Sequence, residues 1–592
     1  MRKGTFLAAL AVSAAMIAGA CGSSSGSAST LLFGDYQDVD SVGPYWGTVM
    51  AANVIATTEA GLTKLNGKME MEPYIAVKIP TPGDGWEMPG KNGLAATMTW
   101  EIHPWKWSDG TALTCADFQY WYEWASIPAN IASKAHVDAI DSIECPTPTT
   151  IVVNYKTLYS YMKYGPGFVP KQYYSKFTVG TAAEGDPATD TSTDMLLGAG
   201  FRAKQLPDVP TSGPYKYESR TPGIELVVVK NQYYKDPVTG KGANIERIKF
   251  QVCGSPDTCI AKYKAGELDV VTDLSGADVA STNEFGDQQK QLPSLYTEFL
   301  RPNFSETTCS IGVDAANDPA KLLPDRAARG GGCPASDLAM RQAISASIDR
   351  QGLLDRVQGG LGFVSTNLYP KQFAYYKDES ANVAPYDLAL AAKYLKDGGW
   401  ADTNGNGIVD KVLNGKKTEA ILEFCTTTRA TRKATMEVLS AALDTIGVKA
   451  IWNGGGTIFL GLADTEEVGC NLAYGTFDFA LHAFSFTAPD FSNYSDMHSS
   501  QFRVNGGTND QMINVPEIDA IGDKSLVTVD DATQNELGRQ NQDLIAKYVV
   551  YIPLHYWMDV LLVSSRVTGW DFNIISGPLW NVATWEFAPA AN

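Results

Sequence analysis

The sequence predicts an α/β protein of two or more lobes with mixed, partly parallel sheets. Two observations support this prediction. The chain has 592 residues, more than one hydrophobic core usually organises, and 44% of them are apolar, enough to bury a large core. In addition, apolar residues at helical spacing, then a glycine, then an alternating strand pattern recur along the chain. Sheets of this kind place ligand crevices at strand ends or between lobes.

The first thirty residues predict export. Two basic residues precede an apolar run over 5–20, which is shorter than the roughly 20 residues that span a bilayer and is typical of a signal peptide. Small residues then precede Cys21 in a pattern that resembles the lipobox of bacterial lipoproteins, although Ala18 stands where that motif usually has Leu. We therefore expect 1–21 to be a signal peptide with lipidation at Cys21, and 22–30 to be a flexible Ser/Gly-rich tether. Ordinary signal cleavage before a spare thiol is the alternative.

Local patterns in the next part of the chain predict strands and then a helix. Alternating aromatic and apolar residues from Trp100 to Trp107 predict a strand pair, with 108–110 as the turn. Thr114 followed by Asp117 resembles a capping box that opens a helix.

Three later helices are predicted from apolar residues at helical spacing. The first runs through 340–348 and ends near Gly352, and the second runs through 388–395 and ends at Gly398. The third belongs to the unit 431–452, in which a helix, a glycine and a strand follow one another.

The cysteines predict disulfides. The chain has nine cysteines, so eight remain when Cys21 is set aside, an even number in a chain that is expected to be exported. None shows the paired short spacing of a zinc site. We expect four disulfides between successive neighbours, which is one of many connectivities: Cys115–Cys145, Cys253–Cys259, Cys309–Cys333 and Cys425–Cys470.

Charge and composition exclude several partners. The net charge of −19 would repel phosphate backbones and anionic headgroups, so no nucleic-acid partner is expected. Five histidines leave little material for a metal site, and we expect no metal and no cofactor. No segment after the signal peptide reaches transmembrane length, so the membrane contact is expected through the lipid anchor only.

The stretch 100–118 carries the first of a series of motifs. Its sequence, Trp-Glu-Ile-His-Pro-Trp-Lys-Trp-Ser-Asp-Gly-Thr-Ala-Leu-Thr-Cys-Ala-Asp-Phe, resembles the signature of family 5 extracellular solute-binding proteins, the peptide- and nickel-type binding subunits of ABC importers. The resemblance covers about 31 to 585. Further motifs occur in the order of that family: Ser-Val-Gly-Pro at 41–44 with Gly43 in place of Asp, Ser-Gly-Pro-Tyr at 212–215, Asn-Gln-Tyr-Tyr at 231–234, Gly-Glu-Leu-Asp at 266–269, Met-Arg-Gln-Ala-Ile at 340–344, Ala-Lys-Tyr-Leu at 392–395 with Gly-Gly-Trp at 398–400, and Ile-Pro-Leu at 552–554.

The resemblance implies a fold: a two-lobed periplasmic-binding-protein clamp with an extra inserted subdomain and mixed sheets. Its main lobe would comprise 31–60, 206–290 and 556–592, its inserted subdomain 61–205 and its second lobe 291–555. Several strands that cross between lobes at one place make a hinge.

The resemblance also implies a function without catalysis. A monomer on the outer face of the cell membrane would capture a solute, above all an oligopeptide, by lobe closure and deliver it to the transmembrane subunits of an ABC permease. Two alternatives stay open: a sensory or surface-interaction lipoprotein with the same clamp, and a binder of a non-peptide solute such as an oligosaccharide or a metal chelate. A secreted hydrolase is disfavoured, because outside the Ser/Gly-rich tether at 22–30 the sequence has neither a Gly-x-Ser-x-Gly nor a His-Glu-x-x-His motif.

Ligand-binding residues follow from the same resemblance. It places Asp38, Val39 and Asp40 on a strand whose backbone pairs with an extended peptide. Aromatic residues suited to the walls of a crevice are Tyr45, Trp46, Phe484 and Phe486.

The stretch from Phe484 continues with Ser485, and then Thr487 stands where peptide-binding relatives place an Asp for the ligand's α-ammonium. Either Asp490 takes that role, or the peptide termini stay free, or the ligand has no α-amine.

A second pattern leaves two interpretations open. Residues 402–410 copy the first half of a calcium loop, but Leu413 stands where the bidentate Glu should be. A plain turn and a bound calcium ion are the two interpretations.

Overall fold

A computed structural model gives the structure of most of the chain beyond residue 28. It describes residues 29–39, 49–126, 135–175, 209–306, 309, 313–314, 318–322, 332–378, 384–427, 429–452, 472, 475, 477–485, 490–502 and 507–589. The α-helices in these residues are Val49–Thr58, Cys115–Ala125, Ala135–Ala139, Lys171–Tyr174, Pro256–Lys264, Val279–Thr282, Leu338–Ala346, Arg350–Gln358, Leu388–Asp397, Ala430–Asp444, Tyr494–Met497, Pro516–Val527 and Asp531–Tyr548.

A mixed sheet of eleven strands connects the two sides of the molecule. What we call the first half-sheet consists, in spatial order, of Tyr215–Thr221, Glu225–Lys230, Arg247–Val252, Thr30–Asp35 and Val270–Leu274. Two central strands follow, Ile552–Val563 and Gln289–Pro302, and Phe363–Val364 pairs with the former. The second half-sheet consists of Phe479–Ser485, Ile421–Thr426 and Lys449–Trp452.

The smaller sheets lie outside this one. A five-stranded sheet has the spatial order Thr81–Pro82, Gly85–Glu87, Ala96–Glu101, Thr150–Tyr155 and Ile140–Thr147. Two-stranded pairs are Thr63–Leu65 with Met71–Pro73, Trp105–Lys106 with Ala112–Leu113, Val313–Asp314 with Asp318–Leu322, Asp410–Leu413 with Lys416–Glu419, and Val567–Thr568 with Glu586–Phe587.

Parallel pairing occurs on both sides of the central strands. Thr30–Asp35 is parallel to both of its neighbours in the first half-sheet, and Ile421–Thr426 is parallel to both of its neighbours in the second. These strands are short and apolar, as expected for parallel strands covered on both faces. The central strands pair antiparallel over most of their length, so each one runs from one half-sheet towards the other.

Separate hydrophobic cores flank the central strands. One core packs on the first half-sheet and includes Phe33, Phe250 and Trp585. Another packs on the five-stranded sheet around Trp100. A third packs on the second half-sheet and includes the buried Leu439 of helix Ala430–Asp444. The domain boundaries given in the sequence analysis stay a prediction.

Several predicted elements are confirmed. Thr114 and Asp117 form the capping box of helix Cys115–Ala125. Helix Leu388–Asp397 ends at Gly398, and helix Ala430–Asp444 is followed by strand Lys449–Trp452.

Two predicted elements differ in the structure. Trp100 lies on a strand that pairs with Thr150–Tyr155 over six residues. The predicted turn at 108–110 is present, but the strand before it is the short Trp105–Lys106, which pairs with Ala112–Leu113. The helix predicted to end near Gly352 ends at Ala346. Gly352 lies in the first turn of the next helix, where its N–H donates to the Asp349 carboxylate at 3.0 Å.

Three of the four expected disulfides are present: Cys115–Cys145, Cys253–Cys259 and Cys309–Cys333. Cys425 is also disulfide-bonded, whereas Cys470 lies outside the described residues, as does Cys21. Among the helices that the structure describes, none is both long and apolar enough to span a bilayer.

The loop at 402–410 has the geometry of a plain turn. The Asp402 carboxylate accepts hydrogen bonds from the backbone N–H groups of Gly405, Asn406 and Gly407 at 2.7–3.2 Å. These hydrogen bonds close the turn, and among the described residues no three His, Cys, Asp or Glu side chains converge around it in a way that could hold a metal ion.

Candidate functional site

A cavity of about 750 Å³ lies where the two half-sheets meet the central strands. Its walls come from both sides of the molecule. The first side supplies Tyr36, after strand Thr30–Asp35, and the end of strand Val270–Leu274; the second supplies the start of helix Ala430–Asp444. The segment 572–578 and both central strands complete the walls.

Two β-bulges shape this cavity. On strand Val270–Leu274 the register shifts so that Thr272 and Asp273 together face the single Leu561 of the central strand. On the other central strand, 294–296 face the single Trp557. Bulges bend a strand locally and re-aim its side chains, and here they point residues of both strands into the cavity.

Aromatic rings form one wall. Trp557 stacks on Tyr296 with ring centroids 5.2 Å apart. The Arg429 guanidinium stands over the Trp557 ring at 4.3 Å, a cation–π arrangement, and the Trp557 indole N–H donates to Glu298 at 3.0 Å. Such rings pack against apolar stems of varied shape.

Ion pairs join the second side of the cavity to the rest. The Arg432 guanidinium contacts Glu298 on a central strand, with its Nε 2.7 Å from Oε1. The Arg429 guanidinium is paired more loosely with Asp273 of the first half-sheet, at 3.7 Å. Burial opposes ionisation of Glu298, but the adjacent Arg432 outweighs it and holds the pKa of that carboxyl below its usual range.

Carboxylates dominate the opposite wall and the layer behind it. Burial, and then the charge of Asp273, raise the pKa of Asp35 to about 8. Burial raises the pKa of Asp559 to about 7, and it also raises the pKa of Asp273 despite the nearby Arg429. The cavity therefore favours groups that neutralise or accept protons from carboxylates.

Metal-ligand side chains do not cluster at this cavity in the part of the chain that the structure describes. Within the ranges that the structure describes, no three His, Cys, Asp or Glu side chains converge in a way that could hold a metal ion. His555 lies fully buried beside the central strands, where burial lowers the pKa of the imidazole to about 4. It is a core residue in this structure.

Few of the residues predicted from the sequence lie at this cavity. Ser485 lines it, and Phe484, Ser485 and Asp490 line a second cavity of about 200 Å³ nearby. The other predicted ligand residues on the same stretches, namely Asp40, Tyr45, Trp46, Phe486 and Thr487, lie outside the described residues. The ligand roles of all these residues stay predictions.

Asp38 and Val39 lie beyond the end of strand Thr30–Asp35, and their pairing with a peptide stays a prediction. The strand ends at Asp35, and the Val39 side chain is buried in the core of the first half-sheet. The Val39 carbonyl accepts a hydrogen bond from Arg220, and the Asp38 carboxylate accepts one from the Gly223 N–H at 2.8 Å. The Val39 backbone is therefore already used by the protein, whereas the bond to Asp38 involves only its side chain.

Asp490 is already engaged by cations and hydroxyls of the protein. Its carboxylate lies 2.8 Å from the Lys163 ammonium, and the Tyr164 hydroxyl donates to it at 2.8 Å. Lys163 also contacts Asp531 at 2.7 Å.

Sequence reasoning missed Asp273, Arg429 and Trp557. A usable signal existed for the first two. Asp273 lies at the carboxyl end of the apolar strand Val270–Leu274, and Arg429 follows the apolar strand Ile421–Thr426. Since ligands of α/β sheets bind outside the carboxyl ends of parallel strands, both positions were candidates on this rule alone. Nothing in the sequence marked Trp557.

Comparison with known proteins now defines the class. A sequence model of the family described as bacterial extracellular solute-binding proteins, family 5 Middle, matches residues 95–506. The chain belongs to this family, as its motifs predicted.

Individual relatives agree with this assignment. The oligopeptide-binding protein OppA of Bacillus subtilis is 23% identical over 380 residues, which are 59% of this chain and 58% of that protein. The chain thus spans about three fifths of the length of such curated relatives.

Solved structures show the fold. The structure of the oligopeptide-binding protein AppA from Bacillus subtilis in complex with a nonapeptide has a TM-score of 0.72 at 17% identity and covers 95% of this chain and 99% of that chain. NikZ from Campylobacter jejuni in complex with Ni(L-His) has a TM-score of 0.70 at 18% identity and covers 94% and 99%. The predicted two-lobed periplasmic-binding-protein clamp with mixed sheets is confirmed.

Proposed function

We propose that this protein is the extracellular substrate-binding component of an ABC importer, which captures oligopeptides by lobe closure and delivers them to the permease. The observation that carries the proposal is the cavity of about 750 Å³, because both half-sheets contribute to its walls. A ligand in that place contacts both lobes at once.

The size and chemistry of the cavity suit a short peptide. Its volume lies within the ~300–1,000 Å³ typical of small-molecule sites. Carboxylates and guanidinium groups both line it, which matches the two charges of a zwitterion, and the wall of Trp557 and Tyr296 tolerates side chains of varied shape. The relatives OppA and AppA are oligopeptide-binding proteins by name.

Closure follows from contacts that exist only when the lobes meet. The Asp273–Arg429 pair joins the first half-sheet to the start of helix Ala430–Asp444. A ligand that touches both walls adds to such contacts in the closed state alone. It therefore shifts the population towards closure by its differential affinity for the two states.

The proposal includes an attachment and a location. Cys21 would carry the lipid anchor, with a monomer tethered at the outer face of the membrane. A single acyl chain binds membranes only marginally, so stable attachment needs two or three chains. A Cys21→Ala protein should therefore leave the membrane fraction.

Native mass spectrometry of the protein purified without denaturation tests the ligand class. We expect bound masses that fragment as peptides of a few residues. Saccharide or metal-chelate masses alone would contradict the proposal and favour the non-peptide alternative.

A pair of variants on one helix localises the site. Thr431 lines the cavity at the start of helix Ala430–Asp444, whereas Thr445 is exposed just after its end. Thr431→Trp should fill the cavity and abolish the bound mass, and Thr445→Trp should retain it. Retention by both variants would show that the ligand binds elsewhere.

Growth separates transport from sensing. Cells that need the bound peptide as a nutrient should stop growing when the protein is deleted. Unchanged growth with an altered transcriptional response to the peptide would favour the sensory alternative.

A further inference from the structure

One carboxylate oxygen in the cavity lacks a partner. Asp273 Oδ2 is buried and has no hydrogen-bond partner among the described residues. The Asp273 side chain is only 7% exposed, yet it lines the cavity. A buried acceptor left unpaired is destabilising, and more so when it is charged. A donor supplied by a ligand would remove that destabilisation.

The charges around this oxygen are unbalanced. Asp278 and Asp559 also line the cavity, and Asp35 lies directly behind, where it accepts a hydrogen bond from the Thr272 hydroxyl at 3.1 Å. Of the two guanidinium groups at the cavity, Arg432 is held by Glu298. Arg429 alone is left opposite the aspartates, of which Asp35 and Asp559 have raised pKa values and hold protons near pH 7. A bound cation displaces these protons, so the site can take one more positive charge.

The protein's own arginine shows what such a charge would encounter. The Arg429 guanidinium lies over the Trp557 ring at 4.3 Å and 3.7 Å from Asp273 Oδ1. Oδ1 is therefore taken on one side. The Tyr36 hydroxyl also interacts with this carboxyl, but Oδ2 has no hydrogen bond among the described residues and remains for a second donor. Tyr296, which stacks on Trp557, lies beside this place and offers an apolar surface.

We propose that the cavity contains a subsite for a basic side chain of the bound peptide, in which Asp273 and Asp559 bind its ammonium or guanidinium group and the rings of Trp557 and Tyr296 pack on its aliphatic stem. This inference rests on the proposed peptide-binding function and adds a preference to it. An anionic side chain is disfavoured at the same place, because it would face several carboxylates.

Titration calorimetry with matched peptides tests the preference. The probes are Ala-Ala-Lys-Ala-Ala and its neutral analogue with norleucine, which keeps the aliphatic stem without the ammonium, each with a free and with an acetylated amino terminus. We expect the lysine peptide to bind at least about tenfold more tightly, a charge-assisted bond of about 1.4 kcal/mol or more. Equal affinities of the two peptides for the wild-type protein would overturn the proposal.

The variant Asp273→Asn assigns the preference to this residue. Asp273 has φ = 56°, in the left-handed region that Asn adopts readily, so the substitution adds no backbone strain. We expect the lysine preference to vanish, while the norleucine peptide still binds. Asp559→Asn should reduce the preference. Asp141→Asn, at an exposed position on strand Ile140–Thr147, removes the same charge far from the cavity and should retain it.

The acetylated peptides separate two sources of positive charge. If acetylation leaves the lysine preference unchanged, the subsite binds the side chain as proposed. If instead acetylation weakens the norleucine peptide in the wild type but not in Asp273→Asn, then Asp273 binds the amino terminus and the side-chain proposal is wrong.

Binding of small molecules tests the subsite independently of the peptide proposal. Pentylamine carries the ammonium and its stem without any peptide backbone, and 1-pentanol is its neutral match. Should no peptide bind, the peptide function fails, and tighter binding of pentylamine than of pentanol, lost in Asp273→Asn, still supports the cationic subsite. No such difference would overturn the subsite as well.

Discussion

Two clusters of charged groups join distant segments of this protein, and they differ in how completely they are paired. In one, which we call the Lys163 cluster, the Lys163 ammonium lies 2.8 Å from Asp490 and 2.7 Å from Asp531, and the Tyr164 hydroxyl donates to Asp490. In the cavity, Asp273 and Arg429 are 3.7 Å apart, and Asp273 Oδ2 has no partner among the described residues.

The difference separates a structural contact from a binding site. Both clusters use an aspartate, a cation and an aromatic ring. In the Lys163 cluster short contacts surround the ammonium, and the two carboxylates outweigh burial so that the pKa of Lys163 is raised. A ligand gains little by entering such a cluster, because it must displace a bond already made. A loosely paired cluster beside a cavity gains from a ligand's donor.

The largest effect is expected from Lys163→Met. Lys163 follows the five-stranded sheet in the chain and reaches Asp490, so its loss removes a contact between these parts and leaves a carboxylate only 13% exposed. We expect a loss of about 2 kcal/mol in the free energy of closure, since breaking one side of a shielded pair is costly. That corresponds to roughly thirtyfold weaker peptide binding in calorimetry.

Lys78→Met is the matched control for this substitution. Lys78 pairs with Asp84, but both side chains are at least half exposed, so the pair contributes little. Its peptide affinity should stay within about twofold of the wild type. A similar small change in Lys163→Met would mean that the Lys163 cluster does not stabilise the closed state.

A smaller effect is expected from Asp490→Asn, which also tests whether Asp490 binds the peptide's α-ammonium. Lys163 keeps Asp531 in this variant, so we expect affinity to fall only about fivefold, or ~1 kcal/mol. The penalty for acetylating the peptide should match that of the wild type, because Asp490 is occupied by the protein. A penalty that disappears in Asp490→Asn would identify Asp490 as the ammonium site after all.

The sequence predicts features that depend on neighbouring residues better than it predicts the cavity, which distant segments form. The α/β class, the family and three of the disulfide pairs followed from local patterns and motif order. The capping box at Thr114 and the glycine after helix Leu388–Asp397 depend on residues a few positions apart, so both can be recognised in the sequence.

The cavity depends on features with no local signature. Asp273 reaches it because a bulge places Thr272 and Asp273 against one residue of a strand almost three hundred positions later. Asp273 Oδ2 is unpaired because of the position of the Arg429 guanidinium, which the sequence does not reveal. Conversely, Asp490 looked like a free carboxylate, and only the fold shows Lys163 beside it.

Proton release distinguishes the cavity from the Lys163 cluster. The folded pKa of Asp35 is about 8 and that of Asp559 about 7, both well above the usual value of an aspartate. A bound cation favours the ionised carboxylates, so the lysine peptide should release protons at pH 7 and bind about threefold more tightly at pH 8 than at pH 6. Groups facing this region that could share the effect are Tyr36, Asp273, Asp278, Glu298, Arg429, Arg432 and His555.

The measurement is calorimetry in two buffers of different ionisation enthalpy. The norleucine peptide should release far fewer protons. The protein without peptide should respond to pH in the opposite direction. Its folded state holds protons that the unfolded state gives up, so the free energy of unfolding should fall as the pH rises from about 4 to about 8. Peptide binding without proton release at pH 7 would contradict the charged subsite.

The smallest effect is expected from Asp531→Asn. Asp531 meets the same ammonium as Asp490 at nearly the same distance, 2.7 Å against 2.8 Å, but its side chain is 72% exposed, compared with 13% for Asp490. Water and salt screen an exposed pair, which is worth about 0.2–1 kcal/mol. Peptide affinity should therefore change by about twofold or less in dilute buffer, and the difference from the wild type should disappear in ~1 M salt, where the Debye length is about 3 Å. If Asp531→Asn costs as much as Asp490→Asn and keeps that cost in high salt, exposure does not rank the contacts of the Lys163 cluster, and the comparison with the cavity loses its basis.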